Sequence, residues 1–294
     1  MPSPVARAQI ALCLVVCLPL RLLGAQGAAV DVRGEGYLTR RDAASAAVIV
    51  AVTALAFTVD RRIAEGQRDH PTPALRTMDD AAGAHLLPVV TRPDVFFIGG
   101  LGYVYGRLAD DDAVAGVAVH SMEAVGLALL GTGVFKVALG RAQPVSVGDS
   151  LSHDFSPGRG LRDAARQSFP SGHAAVAFAV ATSVTEDVRR RWPRAAPLTG
   201  ALLYGSATIV SASRLNENHH WLSDIVFGAG MGALTGNAVS RYTALHPHNK
   251  VDAVLMALRV APTGDGRHGV MVMADLASIA DRSRRSAEAS GSSH

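Results

Sequence analysis

The chain has 294 residues, 28 Lys and Arg against 25 Asp and Glu for a net charge of +3, and is 49% apolar. That composition excludes a disordered chain, which combines low hydrophobicity with high net charge. The small, scattered positive charge and an aromatic content of 5% also exclude a nucleic-acid surface built on basic stripes or stacking platforms. The dominance of Ala, Gly and Val suits closely packed helices in or near a membrane. Both cysteines, Cys13 and Cys17, lie near the N-terminus, so no disulfide framework or cysteine metal cluster is available to the rest of the chain.

In chain order the first feature is an export signal. Arg7 supplies a positive start, Ile10 to Leu20 is an apolar run, and Leu23 to Ala28 offers small residues for cleavage. Residues 1–27 are therefore expected to be a signal peptide. The alternative, an uncleaved anchor helix, is interrupted by Pro19 and Arg21 before it is long enough to span a bilayer.

Apolar segments follow at Ala43–Val59, Val95–Leu108, Ala113–Phe135, Gly172–Val184, Leu198–Ala212 and Leu222–Val239. All are long, Ala-rich and free of strict alternation, which predicts helices. Only the first is strongly apolar throughout. The third contains His120 and Glu123, and the last contains Asp224 and Asn237. Several are shorter than the roughly 20 residues of a spanning helix, so membrane helices and the buried helices of an exported bundle both remain open. The second, interrupted by Gly99, Gly100 and Gly102, is the weakest candidate for a crossing. The polar stretch Val145 to Ser168 is expected to form a lid or rim. After Tyr242 the pattern changes. Ala257–Val260 and Gly269–Met273 flank a Gly-rich turn at Thr263–Gly266 and read as a small hairpin. The expected fold class is all-α, a bundle of about six apolar helices over residues 28–245, with a C-terminal extension over 246–280 carrying the hairpin and a disordered tail over 281–294.

Three clusters carry chemistry. The first runs from Lys136 to Pro144 at the end of the third helix and includes Arg141 and Gln143. The second, Phe169-Pro170-Ser171-Gly172-His173, opens the fourth. The third joins the fifth helix to the sixth and holds Ser213, Arg214, His220 and Asp224. In the second cluster Ser171 can cap, Gly172 lets a ligand approach the backbone, and the helix start directs amide groups and the positive end of the macrodipole at one spot, which favours an anion. His173 stands beside that spot and can donate a proton to a departing oxygen. In the third, His220 and Asp224 are four residues apart on one helical face. A carboxylate on one ring nitrogen fixes the tautomer and leaves the other nitrogen as a nucleophile. Arg214 can grip two phosphate oxygens, and Lys136 reads as a further phosphate ligand beside these elements. His219 is a solvated neighbour with no role. Each cluster alone also reads as an ordinary helix end. In an up-and-down bundle, however, the loops that carry them lie at one end, and the basic loop Arg189–Arg194 lies at the other.

Together the clusters resemble the type 2 phosphatidic acid phosphatase and vanadium haloperoxidase superfamily, whose pattern is Lys, six residues, Arg-Pro; then Pro-Ser-Gly-His; then Ser-Arg, five residues, His, three residues, Asp. The match covers about Phe135 to Val239 and departs at one position, where Gln143 stands for the family's Arg. A lost charge-assisted contact costs roughly 1.5–3 kcal/mol, or about ten- to a hundredfold in rate if expressed wholly in the transition state. Arg141, two residues earlier, is the candidate to compensate. The resemblance implies a metal-independent hydrolase of phosphate monoesters or diphosphates, with lipid phosphates as substrates. In it Lys136, Ser171, Gly172, Arg214 and, doubtfully, Gln143 bind phosphate. His220 forms a phosphohistidine, Asp224 orients it, and His173 serves the leaving group. It implies no metal and no cofactor, with vanadate only as a phosphate analogue. The membrane is the partner and the site faces the periplasm, since the basic loop would be cytoplasmic. The alternatives are a catalytically weak or inactive phospholipid-binding envelope protein and a vanadate-dependent haloperoxidase.

Overall fold

A computed structural model describes residues 38–69, 77, 79–80, 82–86, 92–147, 151–247, 249–262 and 270–274. The expected signal peptide, the hairpin turn and the C-terminal tail lie outside the described residues.

The long helices are α1 (Arg40–Phe57), α2 (Asp60–Asp69), α3 (Arg92–Leu108), α4 (Asp112–Leu139), α5 (Gly172–Arg191), α6 (Ala196–Asn216) and α7 (Leu222–Leu245), followed by the short α8 (Lys250–Ala257). The strand β1 (Leu258–Pro262) pairs antiparallel with β2 (Val270–Ala274), with Val260 opposite Val272.

Helix α5 is central, with α4, α6 and α7 packed around it. Its Ala174, Phe178 and Ala181 meet Val210 of α6 and Ile225 and Ala229 of α7 in one buried cluster. On its other face, Ala175, Val176 and Ala179 meet Val125 and Ala128 of α4. The small side chains of α5 allow α7 to approach at backbone distance. A methyl group at Gly228 would stand 2.4 Å from the Ser171 carbonyl oxygen, and one at Gly232 would stand 2.1 Å from that of Ala175. Helix α1 joins α7 through a buried ion pair. Arg241 Nη2 lies 2.6 Å from Asp42 Oδ2, and the same carboxylate accepts the Thr39 amide at 2.7 Å to cap α1.

The helices run past their expected ends because charged residues pair along the exposed turns. Expected to stop at Val184, α5 continues to Arg191, with Arg190 and Arg191 both on Asp187 at 2.8 and 3.2 Å. At this end of the bundle Asp187 also meets His120 Nδ1 at 2.5 Å and accepts the Ser240 hydroxyl at 3.0 Å. The glycines expected to interrupt the second segment do not break it, since α3 is continuous from Arg92. Two of them face α4, where a methyl group at Gly99 would collide with Met122 and one at Gly102 would touch Ala118. Helix α2 was not expected at all, because its Asp-Arg-Arg start reads as loop. It leaves α1 at a 56° bend and buries Ala64 and Gln67.

By length and composition α4 is the one described helix able to cross a membrane, or one of two if the bent α1–α2 pair counts as a single span. Sequence reading had singled out the first segment instead. That segment is only 18 residues long as a helix, whereas α4 has 28.

The C-terminal end of α4 sets up the site. Gly140 caps it in the left-handed conformation at φ +57°. The polar stretch after it folds back and satisfies carbonyls that a helix end leaves open. Ser156 N donates to Gly140 O at 3.1 Å and Gly158 N to Val137 O at 3.0 Å. The described part of this stretch is thus a rim fastened onto α4.

Substituting Gly232 by Ala tests the closeness of α5 and α7. The obstructing atoms are backbone, so relief requires moving a helix. Gly232→Ala should lower unfolding stability by about 1–3 kcal/mol, measured by thermal unfolding of the purified chain. An unchanged Tm would show that the helices lie further apart.

Candidate active site

The start of α7 holds the third cluster. Asp224, in its first turn, is fully buried, and its Oδ2 accepts the Trp221 amide at 2.9 Å. An acidic side chain three residues into a helix is favoured there by open amides and the macrodipole. The same Oδ2 accepts the Ser168 hydroxyl at 2.5 Å, and Oδ1 receives Arg141 Nη1 at 2.6 Å. His220 is buried too. Its Nδ1 lies 3.7 Å from Asp224 Oδ2, within ion-pair range but longer than a hydrogen bond. The expected pairing is therefore an approach along the Nδ1 edge of the ring, without a closed hydrogen bond.

Electrostatics separate the two groups. Burial pushes the Asp224 carboxyl up, but the Arg141 charge, His220 and the Ser168 hydroxyl outweigh it and leave it below its ordinary value. Burial pulls His220 down, and the Lys136 charge adds to this. Asp224 opposes both without reversing them. The site therefore holds an ionised carboxylate beside a neutral imidazole.

The second cluster joins the third through the backbone, with the Ser171 amide donating to the Asp224 carbonyl at 3.0 Å. Ser171 is fully buried and caps α5, accepting the Ala174 amide at 3.4 Å. Gly172 and His173, both half-buried, form the first turn, where the helix itself offers no acceptor for their amides. The close approach of Gly228 to Ser171 is what lets α5 and α7 begin side by side.

From the first cluster, Lys136 is buried in the last turn of α4. Its ammonium donates to the Gln167 carbonyl, close enough to act on His220. Gln143 is half-buried. Its backbone is pinned by Ala165 O at 2.9 Å and accepts the Ser146 hydroxyl at 2.8 Å. Arg141 does not compensate for it. The Arg141 side chain is wholly buried. It binds Asp224 and also Asp60 Oδ2 at 2.8 Å, Ser223 Oγ at 2.7 Å and the Ser152 carbonyl at 2.6 Å. Its guanidinium carbon lies 4.4 Å from the centre of the Phe57 ring. A guanidinium with this many fixed partners cannot swing out to a substrate.

Arg214, in the last turn of α6, is bound to Glu217 through Nη2. Its Nε is buried with no partner among the described residues. His219 lies 3.4 Å from the other Glu217 oxygen and is half-buried.

The structure therefore gathers Lys136, Ser171, Gly172, His220 and Asp224 at one end of the bundle, and places Arg214 and His173 on the helix ends that form it. Among the described residues no group of His, Cys, Asp and Glu is arranged to hold a metal ion. Sequence reading missed Ser168, Ser223 and Asp60. Ser168 stands two residues before Pro170, and Ser223 directly precedes Asp224, so both were legible as motif neighbours. Asp60 carried no such signal.

A family model described as the PAP2 superfamily matches residues 117–246. The chain is 28% identical over 192 residues to a lipid A 1-phosphatase of Porphyromonas gingivalis, covering 64% of this chain and 36% of that protein. It thus spans about a third of the length of that relative. A crystal structure of a transmembrane PAP2 type phosphatidylglycerolphosphate phosphatase from Bacillus subtilis aligns with a TM-score of 0.47 at 17% identity. That alignment covers 68% of this chain and 96% of that one. The segment that matches this family model contains all three clusters, from Lys136 to Asp224.

Proposed function

We propose that the chain is a metal-independent phosphatase of phosphate monoesters or diphosphates, acting on lipid phosphates. The observation that carries this is the hydrogen bond from Ser171 to the residue-224 carbonyl. It sets a helix start able to take an anion directly against the His220–Asp224 pair. The match to the PAP2 superfamily model and the similarity to a lipid A 1-phosphatase support the substrate class.

In this reading Lys136, Arg214, Ser171 and the Gly172 amide hold the phosphoryl oxygens. Nε2 of His220 donates its lone pair to phosphorus as the bond to the leaving oxygen breaks. His173 gives that oxygen a proton. A water then loses a proton to His173 and attacks phosphorus, and the P–N bond breaks to release phosphate and regenerate neutral His220. Asp224 stabilises the positive charge that the imidazole gains, and the cations stabilise charge on the equatorial oxygens.

The helical body is proposed to sit in the cell envelope with this end facing the periplasm. Arg189, Arg190 and Arg191 lie at the other end of α5, as cytoplasmic-side cations would. Leu130 and Val134 of α4 and Phe97 and Tyr105 of α3 are exposed, as a lipid-facing belt requires. One observation favours a weaker or binding-only role: Gln143 brings no charge and Arg141 is committed elsewhere.

Phosphate release from phosphatidate, phosphatidylglycerophosphate, a polyprenyl diphosphate and a soluble ester, all with chelator present, tests the reading. His220→Ala should abolish turnover. Gln143→Arg should be at least as active as the unmodified chain, by up to about tenfold. Saturable lipid binding without hydrolysis would support the binding-only role instead.

The pH dependence has a defined sign. His220 must be neutral to attack, and its pKa lies below its ordinary 6.5. Activity should therefore rise with pH on an acid limb centred below 6.5. A rising limb in kcat/KM centred above 6.5 would show that His220 is not the nucleophile.

A further inference from the structure

We infer that Asp60, from a helix outside the family match, is the charge-setting positioning residue of the site. By sharing Arg141 with Asp224, it keeps Asp224 electrostatically available to His220. The kinetic part of this inference rests on the phosphatase reading; the electrostatic part does not.

The geometry is a buried chain of ions. Arg141 directs Nη1 at Asp224 Oδ1 at 2.6 Å and Nη2 at Asp60 Oδ2 at 2.8 Å, and all three side chains are fully buried. Asp60 is built into the same wall by two further bonds. Its Oδ1 accepts the Ser223 amide at 2.9 Å, and its Oδ2 accepts the Ser223 hydroxyl at 2.6 Å. Ser223 also accepts Arg141 Nη1 at 2.7 Å, which closes a ring next to Asp224. One guanidinium thus faces two carboxylates, so the group carries one positive charge against two negative.

This surplus has a consequence for His220. With Asp224 as its sole carboxylate, Arg141 would cancel the charge that the imidazole needs beside it. The second carboxylate draws on the guanidinium through Nη2 and leaves a net negative wall behind the ring. That wall favours the cationic imidazole formed during attack, because an opposite charge close by stabilises the charged form. The other charges around His220 are Lys136 from α4 and Asp224 from the first turn of α7, with His173 opening α5, and Arg214 and Glu217 at the end of α6. None of these is altered by a change at residue 60. Asp60 lies outside the 117–246 match, so the buried ion chain reaches from the matched segment into α2.

The test uses the full chain with carbon-13-labelled histidine, the His220 signal being assigned with His220→Gln. Its pKa is read by NMR in the unmodified chain, Asp60→Asn, Arg141→Gln and the double variant. Asp60→Asn removes a negative charge and should lower the His220 pKa by about half a unit to one unit. Arg141→Gln removes a positive charge and should raise it. The double variant restores the surplus of one negative charge and should return close to the original value. If the chain is a phosphatase, the acid limb of kcat/KM moves the same way in each, with KM little changed in Asp60→Asn.

Unmoved titrations, single variants that shift in the same direction, or a double variant that stays displaced would each overturn the inference. If one single variant does not fold, the direction in the other decides. Failure of both to fold overturns the inference in favour of a purely structural ion pair. A chain with no phosphatase activity whose His220 pKa still follows this pattern would overturn the function and keep the electrostatic role.

Discussion

Arg141 is the point on which the rest of the structure depends. Its guanidinium is buried between the carboxylates of Asp60 and Asp224 and beneath the Phe57 ring. It also holds the Ser152 carbonyl of the rim. Four separate parts of the chain meet on one side chain: the α1–α2 bend, the end of α4, the rim and the start of α7. A buried cation is tolerable only when its hydrogen bonds are filled. Removing one partner from such a group strands charge at a cost of roughly 3–5 kcal/mol. The arrangement therefore works as a lock on geometry. The helices can pack in one register only, because any other leaves charge unpaired.

The lock divides the site into two parts with different jobs. The rear wall of Asp224, Ser168, Ser223, Arg141 and Asp60 is buried and joined by hydrogen bonds, and His220 stands beside it. The forward part is provisional. Lys136 rests on a carbonyl and Arg214 on Glu217, contacts that an incoming phosphate group can replace. A carboxylate already held by three donors, the Trp221 amide, the Ser168 hydroxyl and Arg141, has little room to rotate toward another partner, which is consistent with the 3.7 Å spacing to His220. Protonation of the imidazole would shorten it by attraction.

How much of this was readable in the sequence depends on how far each residue acts. Ser171, Gly172 and Asp224 perform local tasks, capping and filling the first turns of helices, and spacing along the chain reveals them. Lys136 was readable because it ends an apolar helix. Helix ends were called short at α5, since pairs such as Asp187 with Arg190 and Arg191 support charged turns that hydropathy counts as loop. Glycines in α3 looked like breaks because one chain segment cannot show what it packs against. Asp60 was invisible for a stronger reason. Its partners, Arg141 and Ser223, are 81 and 163 positions away, and its own surroundings read as a charged turn. Arg141 itself was visible but misassigned, because a charge count does not reveal which way a side chain points.

The substitution at residue 143 can then be placed in the balance of charge. The forward part offers two side-chain cations, Lys136 and Arg214, together with the amides at the start of α5. The rear wall carries a surplus of one negative charge. An added arginine at 143 would strengthen the grip on a phosphate without altering the wall, since Arg141 is already saturated. In the proposed phosphatase reading, Gln143 then weakens the hold on the phosphoryl oxygens while leaving the state of His220 as it is. The deficit should fall on the forward contacts, which act on substrate and transition state alike, and spare the nucleophile. That separation is possible because Arg141 is committed to the buried wall, while residue 143 brings no charge to either part.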